Sequence, residues 1–181
     1  MNRTRCRWCN IKSPLYIDYH DKEWGKRCAD DKKLYEMLIL ESFQAGLSWE
    51  CVLNKRDAFR KAFDGFEVET VSLYDEKKIA LLMEDNSIIR NRLKINAAVV
   101  NSKAFLLIVK EYGSFYAYLK SFTGDNVIYE NDKTQSELSD LISRDLKKRG
   151  MKFVGSTIIY SFLQATGFIN SHENSCFLYM K

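Results

Sequence analysis

The chain has only two histidines, and they lie near opposite ends of its 181 residues. His20 follows Cys6, and His172 precedes Cys176. One thiolate and one imidazole from each end make a Cys2His2 set, the ligand chemistry of a closed, tetrahedral zinc site. His172 and Cys176 are four apart and share a face of a helix end or tight turn, whereas Cys6 and His20 are too far apart for a local finger. A metal held by this set ties the two ends of the chain together. The competing reading is that these are separate buried groups, since free cysteine is often a small hydrophobe. Cys9 forms a C-x-x-C with Cys6 and is a fifth candidate ligand. Cys28 and Cys51, in helical surroundings, read as packing.

A second chemical signal is Glu41. The segment from Asp31 to Phe43 carries an apolar stripe through Leu34, Met37 and Leu38, and the next position on that stripe is Glu41. Glutamate is rarely buried without a partner, so the plain reading is a helix-end residue reaching solvent. The sharper reading is a carboxylate facing a pocket. Aromatic residues gather around it in sequence: Trp8, Tyr16, Tyr19 and Trp24 flank His20, and Trp49 follows Glu41 across Ala45-Gly46. Such residues are usually core. A carboxylate ringed by Tyr and Trp nevertheless suits a flat, cationic, hydrogen-bonding ring.

The elements that must position these residues read as helices. A single proline and isolated glycines leave little punctuation. Capping residues predict helices from Asp30 or Asp31 to about Phe43, Ser48 to about Phe63, Asp75 to about Glu84, and Arg92 to Tyr112, the last ended by Gly113. Further helices are expected at about Ser114 to Phe122, Ser136 to Arg149 and Ser156 to Thr166, with Gly150 and Gly167 at the last two ends. No useful strand-period alternation is visible. Thr123 to Gln135 reads as a polar surface loop.

With 46% hydrophobic and 13% aromatic residues, the chain is long enough for one sizeable core and short for two. One domain spanning 1–181 is expected. No stretch is apolar enough to span a membrane, and the start MNRTRCRWCN has no apolar signal region. Five cysteines without a disulfide-framework spacing point to a reducing, cytoplasmic setting. The net charge is +4, with basic clusters at Arg90, Arg92 and Lys94 and at Lys147, Lys148, Arg149 and Lys152. These are solvated helix faces unless the partner is nucleic acid, in which case they become phosphate contacts.

Three blocks carry a resemblance: YIDYHDKEWG at 16–25, LESFQAGLSW at 40–49, and LKKRGMKFVGSTIIYSFLQATGFINSH at 146–172, with Cys176 beyond. They resemble the bacterial DNA-3-methyladenine glycosylase I family, in the helix-hairpin-helix DNA glycosylase superfamily. The resemblance implies an all-α, helix-hairpin-helix glycosylase-like fold in which a structural Zn2+ at Cys6, His20, His172 and Cys176 joins the N- and C-terminal segments. It implies a base pocket in which Glu41 and Tyr19 meet the polar edge of the base and Trp49 stacks on it, lined further by Trp8, Tyr16 and Trp24. It maps the hairpin to Asn86–Lys94, where Ser87, Asn91 and Leu93 replace the usual glycines. The implied activity is hydrolysis of the N-glycosidic bond of 3-methyladenine in alkylated double-stranded DNA, releasing the free base. The superfamily's Asp or lyase Lys after the hairpin has no clear equivalent, so a monofunctional, monomeric enzyme is expected. Two alternatives are a non-catalytic zinc-stabilised DNA-binding domain and a nucleobase zinc deaminase. The latter lacks the H-x-E element that chemistry needs.

Overall fold

In the computed structural model, which describes residues 3–179, ten α-helices, one turn of 3-10 helix at Asp64–Phe66 and a two-stranded ladder account for the regular structure. The helices are α1 (Pro14–Lys22), α2 (Asp31–Gln44), α3 (Trp49–Leu53), α4 (Arg56–Ala62), α5 (Val68–Ser72), α6 (Glu76–Glu84), α7 (Arg92–Tyr112), α8 (Phe115–Thr123), α9 (Glu137–Lys148) and α10 (Ser156–Ala165). The strands are β1 (Ile128–Tyr129) and β2 (Ile169–Asn170).

Helix α2 organises the fold. Asp30 caps it by accepting from the Lys33 amide, and every residue from Leu34 to Phe43 is buried. This corrects the one-sided stripe read from sequence: a helix packed on all sides has no solvent face to which a glutamate can escape. α7, α8 and α10 pack against it, α9 covers α10, and α5 and α6 lie on α7. The polar residues inside α2 must therefore find partners. Glu36 accepts from Arg56 at 2.5 Å and Arg60 at 2.9 Å. The Ser42 hydroxyl meets the carbonyls of Leu38 at 2.8 Å and Phe153 at 3.2 Å. At its C-terminal end, the Lys94 ammonium donates to the carbonyls of Phe43 at 2.8 Å and Ala45 at 2.6 Å, satisfying groups a helix end leaves open.

The helices expected near 31–43, 75–84, 92–112, 114–122, 136–149 and 156–166 are all present. The helix expected from Ser48 to Phe63 is instead two, because the chain tightens at Asn54 and restarts at Lys55, whose ammonium reaches the Asn86 and Ser87 carbonyls. The restart turns Arg56 toward Glu23 and Glu36. Helix α1 was not anticipated, although Ser13 as cap and Pro14 in the first turn are a standard start. Cys28 lies in the irregular segment before α2 rather than in a helix, partly buried against the core. The loop after α8 contributes β1, which pairs in parallel with β2. A two-residue strand is too short to show alternation.

The connector expected to be the hairpin and the one between α9 and α10 differ in backbone. The connector at Asn86–Asn91 contains no residue with positive φ. The connector between α9 and α10 has the required backbone: Gly150 at φ 93° and Phe153 at φ 53°, followed by Gly155 at the uncapped start of α10. Asn101 braces this turn by exchanging two hydrogen bonds with the backbone of Lys152, and the Ser143 hydroxyl donates to the Val154 carbonyl.

Candidate functional site

The end of α2, the turn to α3, α1 and α10 enclose a cavity of about 360 Å3, within the size range of small-molecule sites. Trp8, Tyr16, Tyr19, Trp24, Glu41 and Trp49 all line it, so the structure brings together every residue of the anticipated base pocket. Tyr16 and Tyr19 lie with ring planes 17° apart, and Tyr19 sits 5.3 Å from Trp49. Trp8 meets the Trp24 ring edge-on at 4.7 Å. Glu41 is 3% exposed, and its Oε2 has no hydrogen-bond partner. Burial pushes its carboxyl up to about 8, so the acid is largely protonated at neutral pH. Trp49 Nε1 is likewise buried without an acceptor. Burial and the nearby Glu41 hold the Tyr19 phenol well above its ordinary range, and burial drives Tyr16 up to about 12. Two unsatisfied polar atoms in an aromatic cavity form a site built for a flat ring with polar edges, because each costs free energy until a ligand meets it.

A second cluster stands directly behind this wall. The donor atoms of Cys6, His20, His172 and Cys176 all lie within 4.8 Å of one another, and all four residues are buried. Cys6 Sγ is 3.5 Å from His172 Nδ1, and Cys176 Sγ is 3.5 Å from His20 Nε2 and 3.6 Å from His172 Nδ1. Zn–S and Zn–N bonds of ordinary length in a tetrahedron put sulfur and nitrogen about 3.6 Å apart. The cluster therefore fits that ion without rearrangement. The amides of Glu173 and Leu178 point at the Cys6 and Cys176 sulfurs. His20 Nδ1 meets Asp21 at 2.8 Å, and Asp21 is gripped by Arg5 through two bonds of 2.6 and 2.8 Å. This fixes the His20 tautomer with Nε2 toward the other ligands, as supporting carboxylates do at metal sites. Without a cation, burial pushes the Cys6 thiol up to about 12 and the His172 imidazole down to about 4.

Cys9 lies outside the four, its sulfur turned to the Tyr16 carbonyl at 3.9 Å. The fifth candidate is thereby removed, and with it the C-x-x-C on which the deaminase alternative rested. Trp24 connects the two sites, with its ring edge-on to His172 at 4.7 Å. Gly25 follows at φ 75°, and a Cβ there would come within 2.9 Å of the His172 ring.

The basic clusters separate on inspection. Lys94 is buried at the end of α2 and is not a surface charge. Arg92 pairs with Glu76, and Arg149 with Glu111 and Asp145. Arg90, Lys147, Lys148 and Lys152 are exposed, the last three flanking the glycine-bearing turn. Residues missed from sequence are Asp21 and Arg5 behind the cluster, and Gln44, Ser161 and Gln164 in the cavity wall. The last two are three apart on α10, a helical spacing that was visible but had no chemistry attached.

The helical fold thus carries an aromatic, carboxylate-bearing cavity, and its α9–α10 connector is a glycine-bearing turn. The family model described as methyladenine glycosylase matches residues 8–179. DNA-3-methyladenine glycosylase 1 of Escherichia coli strain K12 is 43% identical over 181 residues, covering 97% of this chain and 96% of its own. A crystal structure of 3-methyladenine DNA glycosylase I is similar with a TM-score of 0.93 at 40% identity, covering 98% of this chain and all of the other. A variant of such an enzyme in complex with 3-methyladenine is similar at 0.91 and 34% identity, covering 94% and 95%. The chain belongs to the methyladenine glycosylase family.

Proposed function

We propose that this protein hydrolyses the N-glycosidic bond of 3-methyladenine in alkylated double-stranded DNA, as a monofunctional, monomeric, cytoplasmic enzyme of one domain. The observation that carries the reading is Glu41: an unpartnered carboxyl, fully buried, at the centre of an aromatic cavity. Methylation at N3 makes the base cationic, so it leaves readily and pairs poorly. The protein's tasks are to hold the flipped base and to stabilise the sugar as it becomes cationic. Trp49 stacks on the ring. Glu41 and Tyr19 meet its polar edge, and Glu41 gives up its proton when the cationic base arrives, making a charge-assisted bond. Tyr16, Trp8 and Trp24 exclude water from the other side.

Cys6, His20, His172 and Cys176 would hold Zn2+, a closed four-coordinate ion that holds the cavity wall and the two chain ends in place. The Gly150–Gly155 turn and the uncapped start of α10 accept DNA phosphates, with Lys147, Lys148 and Lys152 alongside. Leu47, 42% exposed on the turn between Gln44 and Trp49, is placed to fill the gap a flipped nucleotide leaves. The direct test is release of free 3-methyladenine from methylated DNA by the purified protein. Folded protein that releases none would redirect the reading to a non-catalytic DNA-binding domain.

A further inference from the structure

Helix α7 reaches both the glycine-bearing turn and the turn that carries the base pocket. Lys94 and Asn101 are seven residues apart on it, which puts them on one face, about 10 Å from each other along the axis. Both are buried, and each bonds to main-chain groups of another segment. The Lys94 ammonium donates to the carbonyls of Phe43 and Ala45. Helix α2 has no basic residue in its own last turn, so α7 supplies the cation that a helix end favours. Asn101 Nδ2 donates to the Lys152 carbonyl at 2.9 Å, and its Oδ1 accepts from the Lys152 amide at 2.8 Å. This pair of bonds fixes the chain between Gly150 and Phe153, the two left-handed residues of the turn.

The two anchored segments also meet each other. The Ser42 hydroxyl lies 3.2 Å from the Phe153 carbonyl, and the Lys94 nitrogen stands 6.0 Å from the centroid of the Phe153 ring. The end of α2, the α9–α10 turn and α7 therefore form a triangle, each side tied by a polar side chain bonded to backbone. Burying an ammonium is costly, and a helix end open to solvent is satisfied by water without that cost. What the lysine adds is a fixed place for the end of α2. Glu41 stands just before the first carbonyl it holds, and Leu47 and Trp49 follow the second.

We propose that Lys94, Asn101 and Ser42 are positioning residues that hold the phosphate-gripping turn and the base pocket at one fixed separation, a role that rests on the glycosylase reading above. A turn that grips the DNA backbone then brings the flipped nucleotide to Glu41 and Trp49 in register, so that phosphate contact is converted into orientation at the reacting bond. None of the three lines the base cavity, and each acts through the segment it holds. Cutting a tie leaves the grip on the backbone and the grip on the base intact and removes their alignment. Misplacement by about 1 Å is enough to cost about 100-fold in rate.

The test compares wild type with Lys94→Met, Asn101→Leu, the double variant and Ser42→Ala, all with metal bound and shown to be folded by thermal unfolding. Binding of undamaged duplex DNA, its salt slope, and binding of free 3-methyladenine should all stay within about twofold of wild type. Single-turnover excision from methylated duplex at saturating enzyme should fall about 10- to 100-fold in Lys94→Met and in Asn101→Leu. The double variant should be little slower than the worse single, because one cut already frees the turn from the pocket. Ser42→Ala trims a single hydroxyl and tests the triangle even where a larger change prevents folding; its excision alone should slow, by about threefold to tenfold. Folded variants that excise at the wild-type rate overturn the proposal, as do losses that multiply in the double variant or appear equally in free-base binding. Wild-type protein that releases no base overturns the glycosylase reading, and this role with it.

Discussion

Replacing Glu41 by Gln should make the free protein more stable at alkaline pH while removing its chemistry. In the folded protein the Glu41 carboxyl is held at about 8 by burial, against 4.5 ordinarily. Between those values the folded state keeps a proton that the unfolded chain has released, so stability falls as pH rises. Each unit is about 1.4 kcal/mol, giving about 3 kcal/mol lost by pH 7 and about 4 by pH 8, where the folded carboxyl is itself half ionised, as upper limits. Gln has no proton to release and is free of this penalty. Denaturant unfolding of both proteins at pH 5 and pH 8, with metal bound, should show wild type losing several kcal/mol relative to Glu41→Gln over that interval. Excision should move the other way: wild-type activity climbs with pH toward 8, as the carboxylate becomes available to a cationic base. The variant should be slower by about 10- to 100-fold, the worth of a hydrogen bond to a charged group, and nearly independent of pH there. A stability difference that is the same at pH 5 and pH 8 would refute the assignment of a buried, unpartnered acid.

Asp21→Asn should weaken zinc binding about 10- to 100-fold by loosening the His20 ring, while leaving the four ligands in place; competition with a chelator measures it, and unchanged affinity would make Asp21 a partner of Arg5 alone. Replacing Lys147, Lys148 and Lys152 together by Ala should weaken binding to undamaged DNA and reduce its salt slope by up to about three units. Lys94→Ala should leave that slope alone and lower stability by about 1–3 kcal/mol, because it exposes the need of the α2 carbonyls rather than removing a surface charge. Leu47→Ala should slow excision from duplex DNA with little effect on binding of the free base; equal loss in both assays would place Leu47 in the base pocket.

The chemistry of the site was more legible than its setting. Cys6, His20, His172 and Cys176 could be grouped from residue type and scarcity, because two histidines leave few combinations. Glu41 stood out because a charge broke an apolar run, but its reason was misread: α2 is enclosed by α7, α8 and α10, and burial on every side comes from tertiary packing that no local pattern encodes. Lys94 was taken as surface for the same reason, since its role depends on where α2 ends. The glycine-bearing turn at 150–155 lay in plain view within the longest block of resemblance, yet the hairpin was mapped to 86–94, where no glycine stands. Ser171, in the cavity wall, was invisible because a two-residue parallel ladder joins segments distant in sequence and leaves no periodic trace.

The buried cluster joins Cys6 to Cys176, and that span sets an order of events during synthesis. α2, with Glu41, and α3, beginning at Trp49, are made early, but Trp24, on which Trp8 rests, cannot pack against His172 until the last segment of the chain has been made. Closing so long a loop carries a large entropic cost, and a metal held by all four residues would bind only once it has closed. A growing chain therefore carries the Glu41 and Trp49 side of the cavity before the side that Ser161, Gln164 and Glu173 line. A chain stalled short of Cys176 would lack the fourth member of the cluster and the support it gives the cavity wall.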